Sequence, residues 1–112
     1  NEPLYTQYVA PVIKEIETLY DTQITVQELS SSIYITPQYL SRLFRRFLGC
    51  SVYEYLTTYR MNKAKEMLLM NSKMEVQLIA QQGGFSDTSH FIATFKKVTG
   101  YTPLEFRFGD GS

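Results

Sequence analysis

A chain of 112 residues, 44% hydrophobic and 20% charged, can bury one modest core and is too apolar to stay disordered. No apolar run approaches the roughly 18 residues of a membrane span and no secretory leader is visible. One cysteine, Cys50, and one histidine, His90, exclude an internal disulfide and a usual zinc site. The net charge is zero, but residues 1–31 carry five acidic residues against Lys14, whereas residues 32–107 carry ten basic and five acidic ones. The acidic start is followed by a basic body, and that asymmetry says more about partners than the total does. A lone thiol suits a reducing compartment, so the cytoplasm is expected. A start at Asn1 rather than Met leads us to expect a piece of a longer protein.

Periodicity and caps predict an all-α chain without strands. Seven helices fall at about 8–20, 26–32, 37–47, 52–69, 75–82, 88–97 and 103–107. Capping boxes of the form Ser/Thr-x-x-Glu mark several starts: "TVQE" from Thr25, "SVYE" from Ser51, "SKME" from Ser72 and "TPLE" from Thr102. Thr36-Pro37 and Thr102-Pro103 add a cap followed by proline at the first helical position. The fifth helix ends in Gly83-Gly84, where one glycine suffices as a cap, so that end is expected to fray. The tail "GDGS" should be loose.

In the third helix, at about 100° per residue, Leu40, Leu43, Phe44 and Phe47 share one face. Gln38, Arg42 and Arg45 lie opposite, flanked by Ser41 and Arg46. The outward charges are all positive, and no Glu stands four residues away to pair them. Arginine forks bind guanine edges or phosphate at two points, and Gln and Ser also read base edges. In the sixth helix Phe91, Phe95 and Val98 are expected inside, and Ser89, Ala93 and Lys96 outside, with Thr88 and Lys97 beside them. His90 reads as half-buried, Cys50 as a small buried hydrophobe, and Arg60, Lys63 and Lys65 as solvated or intramolecular. The phenylalanines fall at core spacing, which argues against single-strand base stacking.

The chain also repeats itself. Shifted by 51 residues, "YLSRLFRRFLGCSVYEYL" lies over "HFIATFKKVTGYTPLEFR": Phe44 meets Phe95, Gly49 meets Gly100 and Glu54 meets Glu105. Upstream the shift is 50, pairing Leu29 with Ile79 and Ile35 with Phe85, so one residue has been added in the second turn. Each copy is a short helix, a tight turn and a longer helix, the pattern of a helix-turn-helix module.

These segments, and "GFSDTSHFIATFKKVTGYTPLEFR" most specifically, resemble the two halves of an AraC/XylS-type DNA-binding domain over about residues 8–107. The resemblance implies a transcription regulator whose residues 1–112 form a DNA-binding domain. Two helix-turn-helix subdomains, about 8–50 and 72–107, would be joined by a linking helix at 52–69 and would insert recognition helices into adjacent major grooves of double-stranded DNA. It implies base contacts from Gln38, Ser41, Arg42 and Arg45 in the first half and Thr88, Ser89 and Ala93 in the second. Phosphate contacts fall to Thr36, Arg46, Ser86, Lys96 and Lys97. It implies RNA polymerase as a partner and a sensing or receiver domain in the parent chain, with no cofactor and no membrane. Besides Gly83-Gly84, the chain departs from the family pattern in three places. Tyr34 stands where glycine is common, and a left-handed backbone there would strain it. Ser30 stands where alanine is common. Ala93 stands where arginine is common, which leaves the second half less able to read guanine. The alternative is a helical protein-interaction module, which needs an exposed apolar groove, whereas helix packing is expected to use up the apolar residues. An enzyme is disfavoured because no nucleophile–base pair, metal cluster or phosphate loop is visible.

Overall fold

The computed structural model describes residues 2–109. Among them lie seven helices and no strand. Helix α1 runs as three continuous stretches, Glu2–Leu4, a widened π turn at Tyr5–Val9, and Ala10–Leu19. The others are α2 (Val26–Ser31), α3 (Pro37–Leu48), α4 (Val52–Met70), α5 (Val76–Gln82), α6 (Thr88–Thr99) and α7 (Pro103–Arg107). The first helix begins six residues before the expected 8. Pro3 is tolerated there because a first turn has no partner for the missing N–H. Pro11 lies inside α1, and its ring crowds the carbonyl four residues back. The π turn, with the Ala10 amide donating to the Tyr5 carbonyl, opens the backbone immediately before it. Of the tail expected to be loose, the three residues after Gly109 lie outside the described residues.

The chain divides into two compact units. One holds the residues up to Tyr20 with Ile24–Thr57, and the other holds Asp21–Gln23 with the residues from Thr58 onward. The first unit buries Val9, Val12 and Ile16 of α1, Leu29 of α2, Leu40, Leu43 and Phe44 of α3, and Val52 and Leu56 of α4. Edge-to-face ring pairs tie Tyr5 to Phe47 at 5.6 Å and Tyr8 to Tyr39 at 5.8 Å, fixing α1 against α3. The second unit is built on Met61, Ala64, Leu68, Ile79, Ala80, Phe85, Phe91 and Phe95, with Met67, Met74, Val76, Ile92 and Phe106 packed against them. Fully burying each large apolar side chain contributes about 1.5–3 kcal/mol. Packing does not use up every apolar group: Leu69, Met70, Leu104 and Phe108 remain exposed.

Three of the four capping boxes form. Thr25 with Glu28 and Thr102 with Glu105 exchange both bonds. Ser51 and Glu54 do the same at 2.8 and 3.0 Å. The box expected at Ser72 does not form. The Met74 amide closes a turn onto the Asn71 carbonyl at 2.9 Å, which packs the partly buried Met74 against the core and leaves Glu75 at the N-cap without a side-chain bond. Burial of Met74 outweighs the local cap preference, and α5 starts at Val76.

The internal repeat survives at the level of single backbone bonds. In the first unit the Tyr34 amide donates to Ser31 and the Ile35 amide to Ser30. In the second, Gly84 donates to Gln81 and Phe85 to Ala80, each pair 50 residues on. The left-handed positions recur too, Tyr34 with Gly84 and Gly49 with Gly100. The N-caps Thr36 and Asp87 are 51 apart, so the added residue is Ser86. Gly83-Gly84 is neither redundant nor frayed. Gly84 takes the left-handed turn at φ 95°, while a Cβ on Gly83 would meet the Ile79 carbonyl at 3.1 Å, and the Gly83 amide is bonded to that carbonyl at 2.8 Å. Ser30 is fully buried, with its hydroxyl donating to the Gln27 carbonyl at 3.0 Å.

Tyr34 sits at φ 63° with its side chain 94% exposed, so little packing offsets the left-handed backbone. That conformation costs an L-residue roughly 1–2 kcal/mol, partly offset in glycine by greater unfolded-state freedom. Tyr34→Gly should therefore stabilise the chain by about 0.5–1 kcal/mol. The expected result is a higher urea midpoint at unchanged slope; a lower midpoint would contradict the strain assignment.

Candidate nucleic-acid interface

Helix α3 is held from both ends and from beneath. The Thr36 hydroxyl accepts the Tyr39 amide at 3.1 Å, Pro37 supplies a preset first turn, and Gly49 closes the helix in the left-handed region. Leu40, Leu43 and Phe44 are buried beneath it, which turns Gln38, Arg42, Arg45 and Arg46 to solvent and leaves Ser41 half-buried. The Arg42 guanidinium lies 5.8 Å from the Tyr39 ring centroid and that of Arg46 lies 5.5 Å from Phe47. Such stacking restrains a long side chain while leaving its N–H fork available. Among the described residues no carboxylate comes within ion-pair distance of Arg42 or Arg45. The acidic neighbour is Glu54. Its carboxyl is held below the usual range by the Ser51 amide and hydroxyl first, with Arg45 adding a smaller pull. Thr36 and Arg46 are both exposed at the two ends of this helix.

Helix α6 has the same support and a different surface. Phe91 and Phe95 are buried beneath it, while Ser86, Ser89, Ala93, Lys96 and Lys97 are exposed and Thr88 is half-buried. Val98, expected inside, is 48% exposed because the last turn runs past the core. His90, expected half-buried, is exposed, its ring tilted against Phe85 at 5.5 Å. The residue missed in the sequence is Asp87. Its carboxylate accepts the Ser89 amide at 2.9 Å and the His90 amide at 3.4 Å. An Asp directly before the expected helix start at 88 was the available signal. Its consequence is electrostatic: a fixed carboxylate already occupies this N-terminus and repels a phosphate there. The exposed cationic charge of α6 lies instead at Lys96 and Lys97 in the last turn, and the hydroxyl of Ser86 stands exposed before the cap. The expected site residues therefore come together as two separate stripes, one on each unit. The first carries three arginines and a glutamine, the second two lysines and small side chains.

Cys50 is half-buried. Burial first, then Glu54, pushes its thiol above the usual range, which keeps it neutral. Arg60 is intramolecular, donating to the Thr22 carbonyl at 2.7 Å. Lys63 lies 3.9 Å from Glu66 and over the Tyr59 ring. Among the described residues no cluster of metal-ligating side chains occurs, and no helix is long and apolar enough to cross a membrane.

Residues 29–108 match a family described as a helix-turn-helix domain. The arabinose operon regulatory protein of Escherichia coli is 35% identical over 91 residues, 81% of this chain and 31% of that protein. The C-terminal domain of the two-component response regulator yesN from Fusobacterium nucleatum superposes with a TM-score of 0.82 at 36% identity, covering 86% of this chain and 93% of that one. The C-terminal domain of AraT, a response regulator from Geobacillus stearothermophilus, gives 0.86 at 29% identity, covering 90% and 84%. The chain spans 12–36% of the length of the first curated relatives it matches. The duplicated helix-turn-helix, its paired left-handed turns and these matches agree: the chain belongs to the AraC/XylS-type family of helix-turn-helix DNA-binding domains.

Proposed function

We propose that this chain is the duplex-DNA-reading part of a cytoplasmic transcription regulator and that its two halves do different work. The observation that carries the reading is the outward face of α3, where Arg42 and Arg45 stand exposed beside Gln38 with no carboxylate of the described residues within ion-pair distance. Arg42, Arg45, Gln38 and Ser41 reach base edges in one major groove, and Arg at guanine is the commonest specific contact. Thr36 and Arg46 hold the flanking phosphates. In the second half Lys96, Lys97 and Ser86 hold phosphate, while Thr88, Ser89 and Ala93 make short contacts that discriminate weakly. The uninterrupted α4 joins the halves on adjacent grooves of one duplex. Regulation follows from what the rest of the parent chain supplies, a sensing or receiver domain, and from contact with RNA polymerase. The chain performs no catalysis itself.

Binding of this kind is dominated by counterion release. With about five phosphates neutralised, log K should fall with log salt at a slope of about −4 to −5 on a duplex of arbitrary sequence. Fluorescence anisotropy across a salt series measures it, and a flat dependence would remove the proposal's basis.

A further inference from the structure

Each helix-turn-helix turn takes a side-chain bond from the chain that precedes it: in the first, the Ser32 hydroxyl donates to the Glu15 carboxylate at 2.9 Å; in the second, the bond falls on the glycine turn itself. The segment Asp21–Gln23 belongs to the second unit although it precedes α2 in the chain. The Gln23 side-chain amide donates to the Gly84 carbonyl at 2.9 Å. The Arg60 guanidinium donates to the Thr22 carbonyl at 2.7 Å and also lies 5.7 Å from the Phe85 ring centroid. One arginine thus touches both the strap and the turn that leads into α6. The corresponding position in the first unit is Tyr34, which stands in solvent.

The turn needs such a hold. It contains two glycines, whose backbones are the least restricted by their own sterics, and it carries the additional residue Ser86 before the cap at Asp87. Burial of Phe85 and the amide bonds of Gly83, Gly84 and Phe85 to α5 carbonyls hold the donor side of the turn, but do not by themselves fix its carbonyl side. A bond to the Gly84 carbonyl and a cation on the Phe85 face remove that freedom, and the path from Gly84 to Asp87 is only three residues.

We propose that Gln23 and Arg60 are positioning residues for DNA reading, which set the docking of α6 through the turn Gly83–Phe85 without touching DNA. This rests on the assignment of α6 as a DNA-contacting helix. The partners of Arg60, the Thr22 carbonyl and the Phe85 ring, both lie in the second unit, so its removal should act on the second half.

The test uses the full chain and a duplex carrying both half-sites, with Gln23→Ala, Arg60→Met and the conservative Arg60→Lys. Hydroxyl-radical footprinting should show protection beneath α6 falling about tenfold in Gln23→Ala and Arg60→Met while protection beneath α3 persists. The salt slope should drop by about two as Lys96 and Lys97 disengage. Arg60→Lys should recover part of both, because an ammonium reaches the Thr22 carbonyl or the Phe85 face but lacks the fork to serve both together. Without DNA, the Gly84 and Phe85 amides should exchange faster in the variants than other amides of the second unit. Gln23 is exposed, so its variant will fold even if Arg60→Met does not. Parent-like footprints and salt slope in Gln23→Ala would overturn the inference, as would equal loss beneath both helices. A parent chain that protects neither half-site would overturn the DNA-reading assignment and this inference with it.

Discussion

Phe95→Ala should lower stability by about 3–5 kcal/mol, the range for truncating a fully buried phenylalanine. Phe95 is 0% exposed. Its ring centroid lies 5.8 Å from Phe91 and 5.5 Å from Phe106, so one truncation opens a cavity and removes two ring pairs from the floor of α6. A domain of this size is stable by about 5–15 kcal/mol in total, and the loss is a large share of that. Because Phe91 and Phe95 are the buried face on which α6 rests, DNA contacts from Lys96 and Lys97 should weaken with it. Urea unfolding checks the energy, and a cost under about 1 kcal/mol would mean the site collapses without a cavity and the core assignment is wrong. Phe106→Ala should cost less, since that ring is only half-buried.

Arg42→Ala should cost about 1–3 kcal/mol of discrimination at one base pair and relax the preference there, while leaving affinity for unrelated duplex close to the parent's. Arg42 is exposed and rests on the half-buried Tyr39 ring, so its removal leaves the core of α3 intact and the effect belongs to recognition. Lys96→Ala should behave oppositely, weakening all duplexes alike and reducing the salt slope by about one. Competition between duplexes differing at single base pairs separates the two. Uniform weakening by Arg42→Ala would show that it holds phosphate, and the division between the halves would fail at its first element.

What could be read from the sequence follows from range. Capping boxes at Thr25, Ser51 and Thr102 are decided within four residues, so the local pattern was enough. The box at Ser72 failed because burial of Met74, a tertiary effect, competed with it. The repeat paired Gly49 with Gly100, and both take the left-handed region; the left-handed backbone at Tyr34 was legible only through the family resemblance, and that at Gly84 was not read. The outward arginine stripe of α3 was legible because helical periodicity places it opposite Leu40, Leu43 and Phe44. The early start of α1 was not, since its first turns are held by packing against α3 through the Tyr5–Phe47 and Tyr8–Tyr39 ring pairs. Nor was the strap from Gln23 to Gly84, a bond between residues 61 apart in the chain with no local signature. The tightness at Gly83 was equally hidden, because it depends on the path of the α5 backbone around the Ile79 carbonyl.

Selection from a random-duplex pool with the purified chain tests the central claim, that α3 reads sequence and α6 mainly holds backbone. The expected result is an enriched site with one sharply specified half containing guanine, and a second half of weak preference about one helical turn away. Enrichment of two equally specified halves, or recovery of a pool no different from its input, would contradict it.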